Sequence, residues 1–320
     1  MKRNSKDIIV SRYISDPLLI NGYKFDLRIY IVITCVDPLR IYMYEEGLAR
    51  FATEKFTLAT DEISDKFVHL TNFSINKHSE KYNAGDDDDG AGNKWSLTAL
   101  NVKNFFFKKQ KKLREIGIDP DVVWMNIEDI LIKTILSIED KLFKAAENNV
   151  PFRNNCFSLL GFDVLVDTKL KPWLLEVNLN PSLGVDSALD MKIKSQMMAD
   201  IFTLIGVTPN DQRDDVSFKA NKNLFAYANP YDEANKQESG RKMRHNELAI
   251  IAETREELQR CQRFKLIYPS YNVAMYKPYF EIDRPHNSAL RNELGFFVIK
   301  LKIGLSRISE GLRMTNRSPG

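Results

Sequence analysis

Cysteine is scarce here: Cys35, Cys156 and Cys261 are the three in 320 residues. Widely spaced, odd in number and never in a C-x-x-C pair, they argue against a disulfide framework or structural zinc and fit a reducing cytosol. Histidine is nearly as sparse, and His69, His78, His245 and His286 lie too scattered for a metal cluster. No apolar run approaches a membrane span. After the basic start Met1–Asp7, Ile8 to Val10 is far too short for a signal-peptide core, so nothing directs export. A G-x-x-x-x-G-K phosphate loop is also missing.

What is present is a soluble globular balance, 43% apolar and 28% charged, with room for two domains. The net charge of +3 hides an asymmetry. Residues 208–320 carry 19 Lys and Arg against 14 Asp and Glu, whereas residues 1–207 carry 27 against 29. The excess is read either as a solvated surface or as a face for an acidic partner.

The most informative stretch is Gly161 to Asn178. Apolar runs Phe162–Val166 and Trp173–Val177 flank the polar turn Thr168–Pro172, the pattern of a β-hairpin. Strand alternation points Glu176 and Asn178 the same way, and antiparallel pairing sets Asp163 opposite them. Two carboxylates and an amide oxygen suit a hard divalent cation such as Mg²⁺. An ordinary hairpin with surface acids has the same spacing, and both readings stay open at this point. A second candidate face lies on the long strand Tyr23–Val36, where Lys24, Asp26 and Arg28 share one side. Three ionisable groups are costly to bury unless they meet each other or a charged ligand, which leaves a cleft lining or a solvated sheet face.

The remaining segments give a mixed pattern. Ile8–Ile14 reads as a short strand, Asn21-Gly22 as a turn, and Arg40–Tyr44 as a strand after which Glu45–Arg50 leaves the sheet. His69-Leu-Thr-Asn72 has short polar side chains suited to a turn or to a ligand's hydroxyls. Asp86–Asp89 falls in a Gly/Asp loop, Trp95–Phe107 reads as helix, and the Lys108–Lys112 cluster as solvated. Asp121–Asn148 has apolar residues at three-and-four spacing from Ile127 to Ala145, a single core helix. A further helix is expected from an Asp186 N-cap to Gly206, then a linker over 208–240, a helix over His245–Arg263 and another over Asn287–Lys300.

These motifs, in order, resemble the tubulin tyrosine ligase-like family of amino-acid ligases and, within it, the tubulin polyglutamylases, over about residues 8–207 with a weaker echo in 245–300. The supporting segments are Val10–Ile20, Lys24–Arg28, Tyr44–Ala52, His69–Asn72, Gly92–Trp95, Gly161–Asp163 and Pro172–Asn178. The resemblance implies an α+β, ATP-grasp-like fold: a central subdomain over 1–60, incomplete because the family's preceding glycine-rich part is absent, a C-terminal subdomain over 61–207, the linker, and a helical basic extension over 241–320. It also implies ATP contacts from Arg12, Tyr13, Ile14, Lys24, Asp26, Thr71 and Asn72. Catalytic roles fall to Arg28 and to Arg50, which meets a carboxylate substrate. Asp163, Glu176 and Asn178 would hold Mg²⁺, with two ions possible. The activity implied is ATP-dependent addition of glutamate to glutamate side chains in tubulin tails. Its partners are microtubules and free glutamate, with neither nucleic acid nor membrane, in the cytoplasm, the cytoskeleton and the cilium, axoneme or basal body. Residues 245–265 resemble a cationic microtubule-binding helix, against plain core packing. A non-catalytic microtubule or axoneme protein on a truncated ligase fold, and a glycine ligase on the same frame, are the alternatives.

Overall fold

The computed structural model describes residues 10–59, 62–83, 91–102, 120–150, 156–206, 239–270, 272–288 and 290. The Asp86–Asp89 run, the Lys108–Lys112 cluster, most of the 208–240 linker and the third C-terminal helix beyond 290 lie outside the described residues. Two compact units are formed, one from residues within 1–28, 48–126 and 163–175, the other from residues within 29–47, 127–162 and 176–320.

Among the described residues a sheet of seven strands is built from β1 (Leu19–Ile20), β2 (Tyr23–Val36), β3 (Leu39–Lys55), β4 (Lys94–Ser96), β5 (Ser158–Val166), β6 (Pro172–Leu179) and β7 (Phe264–Tyr268). The main path runs β4-β3-β2-β5-β6, with β1 beside β2 and β7 beside β3. Strands β2, β3, β5 and β6 contribute residues to both units. With helices joining and flanking antiparallel pairings, the class is α+β.

In the first unit, Asn21 and Gly22 both take positive φ and turn β1 onto β2, pairing Leu19 with Lys24 and Ile20 with Tyr23. Residues 48–50 of β3 pair with β4, setting Arg50 opposite Lys94. Phe51 packs in tilted contact with Phe25 and with Trp95, with centroids 5.5 and 4.6 Å away. Short helices α1 (Lys66–His69) and α2 (Phe73–Asn76) follow, and α3 (Leu97–Val102) comes directly after β4. The expected helix over Trp95–Phe107 therefore begins two residues late, because residues 95 and 96 are taken into the β4 ladder against Ala49 and Leu48. The expected strand over Ile8–Ile14 is absent from residues 10–14, which have no ladder partner; the segment is anchored instead further on, where Pro17 bridges Asp167 and Leu18 N–H donates to the Val166 carbonyl at 2.8 Å. The turn after β5 forms as expected and is organised by Asp167. Its carboxylate accepts the backbone N–H groups of Lys169 and Lys171 and the Trp173 indole, each at 2.9 Å.

In the second unit, residues 41–44 of β3 pair with β7. This explains why β3 does not leave the sheet at Glu45: ladder partners far away in sequence hold both halves of the strand, and Arg50 sits inside it rather than at its end. Helices α4 (Pro120–Leu136) and α5 (Glu139–Asn149) replace the single helix expected over Asp121–Asn148. The break at Ser137–Ile138 has a local cause, the Ser137 hydroxyl donating to the Thr134 carbonyl at 2.7 Å, and a tertiary one, since Glu139 and Asp140 are buried against Arg284. Helix α6 (Ala188–Ile205) starts one residue later than expected: Ser187, not Asp186, is the N-cap, its hydroxyl accepting the Asp190 N–H at 3.2 Å. Gly206 ends the helix at φ +71°, where a Cβ would also come within 3.1 Å of the Arg260 guanidinium. Helix α7 (Ser239–Gln259) stops short of the expected Arg263 because β7 begins at Phe264. Ile127, Leu131 and Ile135 of α4 and Ile193, Met197, Ile201 and Leu204 of α6 are buried. Each such side chain contributes about 1.5–3 kcal/mol of transfer free energy before entropy is subtracted. Among the described residues no helix is long and apolar enough to cross a membrane.

Candidate functional site

Alternation along β2 places Lys24, Asp26 and Arg28 on one face, where Lys24 and Asp26 are buried and Arg28 is partly buried, and the first unit pairs their charges. Arg50 grips Asp26 with two parallel bonds, Nε to Oδ1 at 2.8 Å and Nη2 to Oδ2 at 2.5 Å. Arg28 grips Asp163 of β5 in the same manner, at 2.5 and 3.1 Å. The second contact of Arg50 Nη2, 2.8 Å to Asp163 Oδ2, links the pairs into one chain of alternating sign. Forked guanidinium–carboxylate contacts satisfy several lone pairs at once, which offsets the desolvation of buried ions. Burial pulls the Arg50 pKa down, but Asp26 and Asp163 outweigh it and hold the guanidinium charged. For Asp163 burial pushes the carboxyl up, while Arg28 and Arg50 overcome that and keep it below its ordinary value of 3.8. In these contacts each guanidinium uses Nε and Nη2.

Lys24 makes a second cluster. Its ammonium donates to Tyr13 Oη at 3.2 Å and to the His69 carbonyl at 2.9 Å, and lies 4.7 Å from the centre of the Tyr13 ring. Tyr13 Oη is 2.8 Å from His69 Nδ1. The other ring nitrogen, Nε2, is buried and has no hydrogen-bond partner among the described residues. Burial lowers the Lys24 pKa, and Asp26 acts against that.

The remaining expected contacts divide. Thr71 is buried next to this cluster in sequence; Asn72 stands at the N-cap of α2, yet its side chain makes no cap bond. Asn76 is buried and ties the His69–Asn72 turn to β3, a role that the sequence reading missed; so did the reading of His69, whose partners come from residues 56 and 45 positions away in the chain. Of Arg12, Tyr13 and Ile14, Tyr13 is drawn into the Lys24 cluster, while Arg12 is exposed and Ile14 half-buried.

Asp163 belongs to the first unit; Glu176 and Asn178 belong to the second. On β6, Asn178 Nδ2 donates to Glu176 Oε1 at 3.1 Å, which leaves the amide oxygen as an acceptor on a partly buried residue next to an exposed carboxylate. That oxygen chemistry fits a hard cation, and the bonds from Arg28 and Arg50 fill three of the roughly four acceptor directions of Asp163. Among the described residues no three His, Cys, Asp or Glu side chains gather as a metal seat, and the expected set, with two carboxylates and one carboxamide, is leaner than that.

The model of the tubulin-tyrosine ligase family matches residues 1–215, the larger part of the chain. The chain belongs to the tubulin-tyrosine ligase family. Among its relatives in that family, human tubulin polyglutamylase TTLL5 is 48% identical over 208 residues, covering 64% of this chain and 16% of the relative. Human tubulin polyglutamylase TTLL13 is 37% identical over 306 residues, 91% of this chain and 35% of the relative. Human tubulin monoglutamylase TTLL4 is 33% identical over 312 residues, 88% of this chain and 25% of the relative. The chain thus spans 16% to 35% of the length of these three proteins.

Proposed function

We propose that this chain carries the phosphate- and carboxylate-handling part of an ATP-dependent ligase that adds glutamate to glutamate side chains in tubulin tails. The reading takes the fold as ATP-grasp-like, with boundaries near 60, 207 and 240. The observation that carries it is the linked Asp26–Arg50–Asp163–Arg28 network in a member of this family. Relatives named for polyglutamylation and for monoglutamylation share glutamate transfer, which makes glutamate the expected donor.

A carboxylate is a poor electrophile, so its oxygen first takes the γ-phosphoryl group of ATP, releasing ADP and giving an acyl phosphate, and an amine then attacks the acyl carbon, losing a proton and releasing phosphate as the amide forms. Charge on the transferred phosphoryl group must be met by cations placed before reaction. Arg28 and Lys24 supply them, Arg28 from its grip on Asp163 and Lys24 through an ammonium fixed by Tyr13 and the His69 carbonyl. Arg50, locked on Asp26, meets the substrate carboxylate. Thr71 and Asn72 meet the ribose and phosphate side, and the backbone of Arg12–Ile14 meets adenine. Asp163, Glu176 and Asn178 would hold Mg²⁺, which when bound polarises phosphoryl oxygens and neutralises their charge. Microtubules then place the protein on the cytoskeleton, including the cilium, with the C-terminal residues docking on acidic tails through salt-sensitive contacts.

The test is incorporation of labelled glutamate into microtubules by the 320-residue chain, and by human TTLL5 with its matched segment replaced by residues of this chain. ATP-dependent labelling that disappears in Glu176→Ala supports the reading. Microtubule co-sedimentation without labelling in either protein would replace it with a structural, non-catalytic role, and preferential labelling from glycine in a donor competition would change the substrate.

A further inference from the structure

The side chain of Asn76, in the first unit, makes four hydrogen bonds. Its Oδ1 accepts the Thr53 backbone N–H at 3.1 Å and the Thr53 hydroxyl at 3.0 Å. Its Nδ2 donates to the Leu70 carbonyl at 2.8 Å and the Asn72 carbonyl at 3.1 Å. A carboxamide has two acceptor directions and two N–H donors, and all four are used here. The side chain is 1% exposed, so no water substitutes for any of these partners. Helix α2, which carries Asn76, is a single turn and has no rigidity of its own.

We infer that Asn76 is the positioning residue for the His69–Asn72 turn, holding Thr71 and Asn72 in place for the nucleotide. The inference rests on the ligase reading above. The carbonyls of Leu70 and Asn72 are pinned by Asn76, and that of His69 by Lys24. With three of its four carbonyls fixed by side chains, the turn keeps one backbone course, and that course leaves the Asn72 side chain out of the helix cap it would ordinarily make. The clamp reaches β3 three residues after Arg50, so the strand that carries Arg50 also sets the turn. Asn76 touches no substrate; it acts through residues 69–72.

Asn76→Asp is the direct test. It keeps the shape and the acceptor for Thr53 but replaces Nδ2, the one atom that makes both donations, by an oxygen facing two carbonyls. Affinity of the full chain for a fluorescent ATP analogue should fall about tenfold, the scale set by unsatisfied buried polar groups, while amide hydrogen exchange rises over residues 69–72 and nowhere else. Thr53→Val removes one of the four bonds with little change in volume; it should lower affinity about threefold with the same local exchange pattern, and it decides the matter if Asn76→Asp does not fold. Unchanged affinity in both variants, or exchange raised uniformly through the unit, overturns the positioning role. If the unaltered chain binds no nucleotide while Asn76→Asp still loosens only residues 69–72, the holding of the turn stands and the ligase reading is what fails.

Discussion

Among the described residues two kinds of ion-paired arginine occur, one in each unit, and they are put to different use. In the second unit Arg284 is 1% exposed and spans Glu139 and Asp140, with the Phe143 ring 3.8 Å from its guanidinium carbon. Arg40, equally buried, meets Glu257 at 3.2 Å and Thr254 at 3.1 Å. Both are enclosed on every side and join segments far apart in sequence. In the first unit the Arg28 side chain keeps 13% exposure, uses one edge on Asp163, and shares that acid with Arg50. Enclosed arginines hold elements together, whereas an arginine with a partner on one edge and access on the other is poised for a ligand. Partner count and residual exposure, not burial alone, separate the two.

The largest effect that would test this separation is Arg284→Ala. Removing one member of a buried ion cluster leaves Glu139 and Asp140 uncompensated, which is expected to cost about 3–5 kcal/mol of stability in urea unfolding. Arg28→Ala should cost clearly less, because Asp163 keeps Arg50, while abolishing glutamate incorporation. Equal stability losses in the two variants would break the comparison.

Next in size is Glu176→Ala. Loss of a preorganised electrostatic partner should take about 2.7–4 kcal/mol from the transition state, read as glutamate incorporation. Since Glu176 is exposed, stability should move by no more than about 0.5 kcal/mol. Retention of ordinary turnover would remove this residue from the proposed metal seat.

Smaller still is the N-cap of α6. Ser187→Ala should cost about 1 kcal/mol, and Asp186→Ala close to nothing, because the hydroxyl of Ser187 is the group that accepts the Asp190 N–H. From composition alone either residue is an acceptable cap, and the choice between them is made by where the chain enters from the Gly184 loop, which Lys194 holds by its carbonyl. The same logic runs through the rest of the molecule. Strand β2, the β5–β6 hairpin and the αL glycine at 206 were legible because period-2 alternation, a polar turn and a terminal glycine are local signals. The continuation of β3 through Glu45–Arg50 was not, since it depends on β4 and β7; nor was the break at Ser137, which depends on Arg284. At the candidate site, residue types on the Lys24–Asp26–Arg28 face pointed to mutual pairing or a charged ligand, yet which acid meets which arginine, and the clamp by Asn76, are properties of tertiary packing.

The comparison also has a pH form, with the smallest expected effect. Asp163 is held below its ordinary value of 3.8 by two guanidinia, so its pairing stabilises the fold fully above that value and is lost as pH falls through the lowered pKa. Glu139 has the opposite sign. Burial raises its pKa above 4.5 although Arg284 opposes the shift, and its Oε2 is buried without a hydrogen-bond partner, so its contribution is fully present below 4.5 and fades as pH rises through the raised value. Chemical unfolding followed across the acid range should therefore show Asp163→Asn flattening the fall in stability at the lowest pH, and Glu139→Gln flattening a decline that sets in above pH 4.5. Matching slopes for the two variants would mean that the carboxylates experience equivalent surroundings, and the division between an arginine pair open to ligand and an arginine enclosed for structure would lose its electrostatic basis.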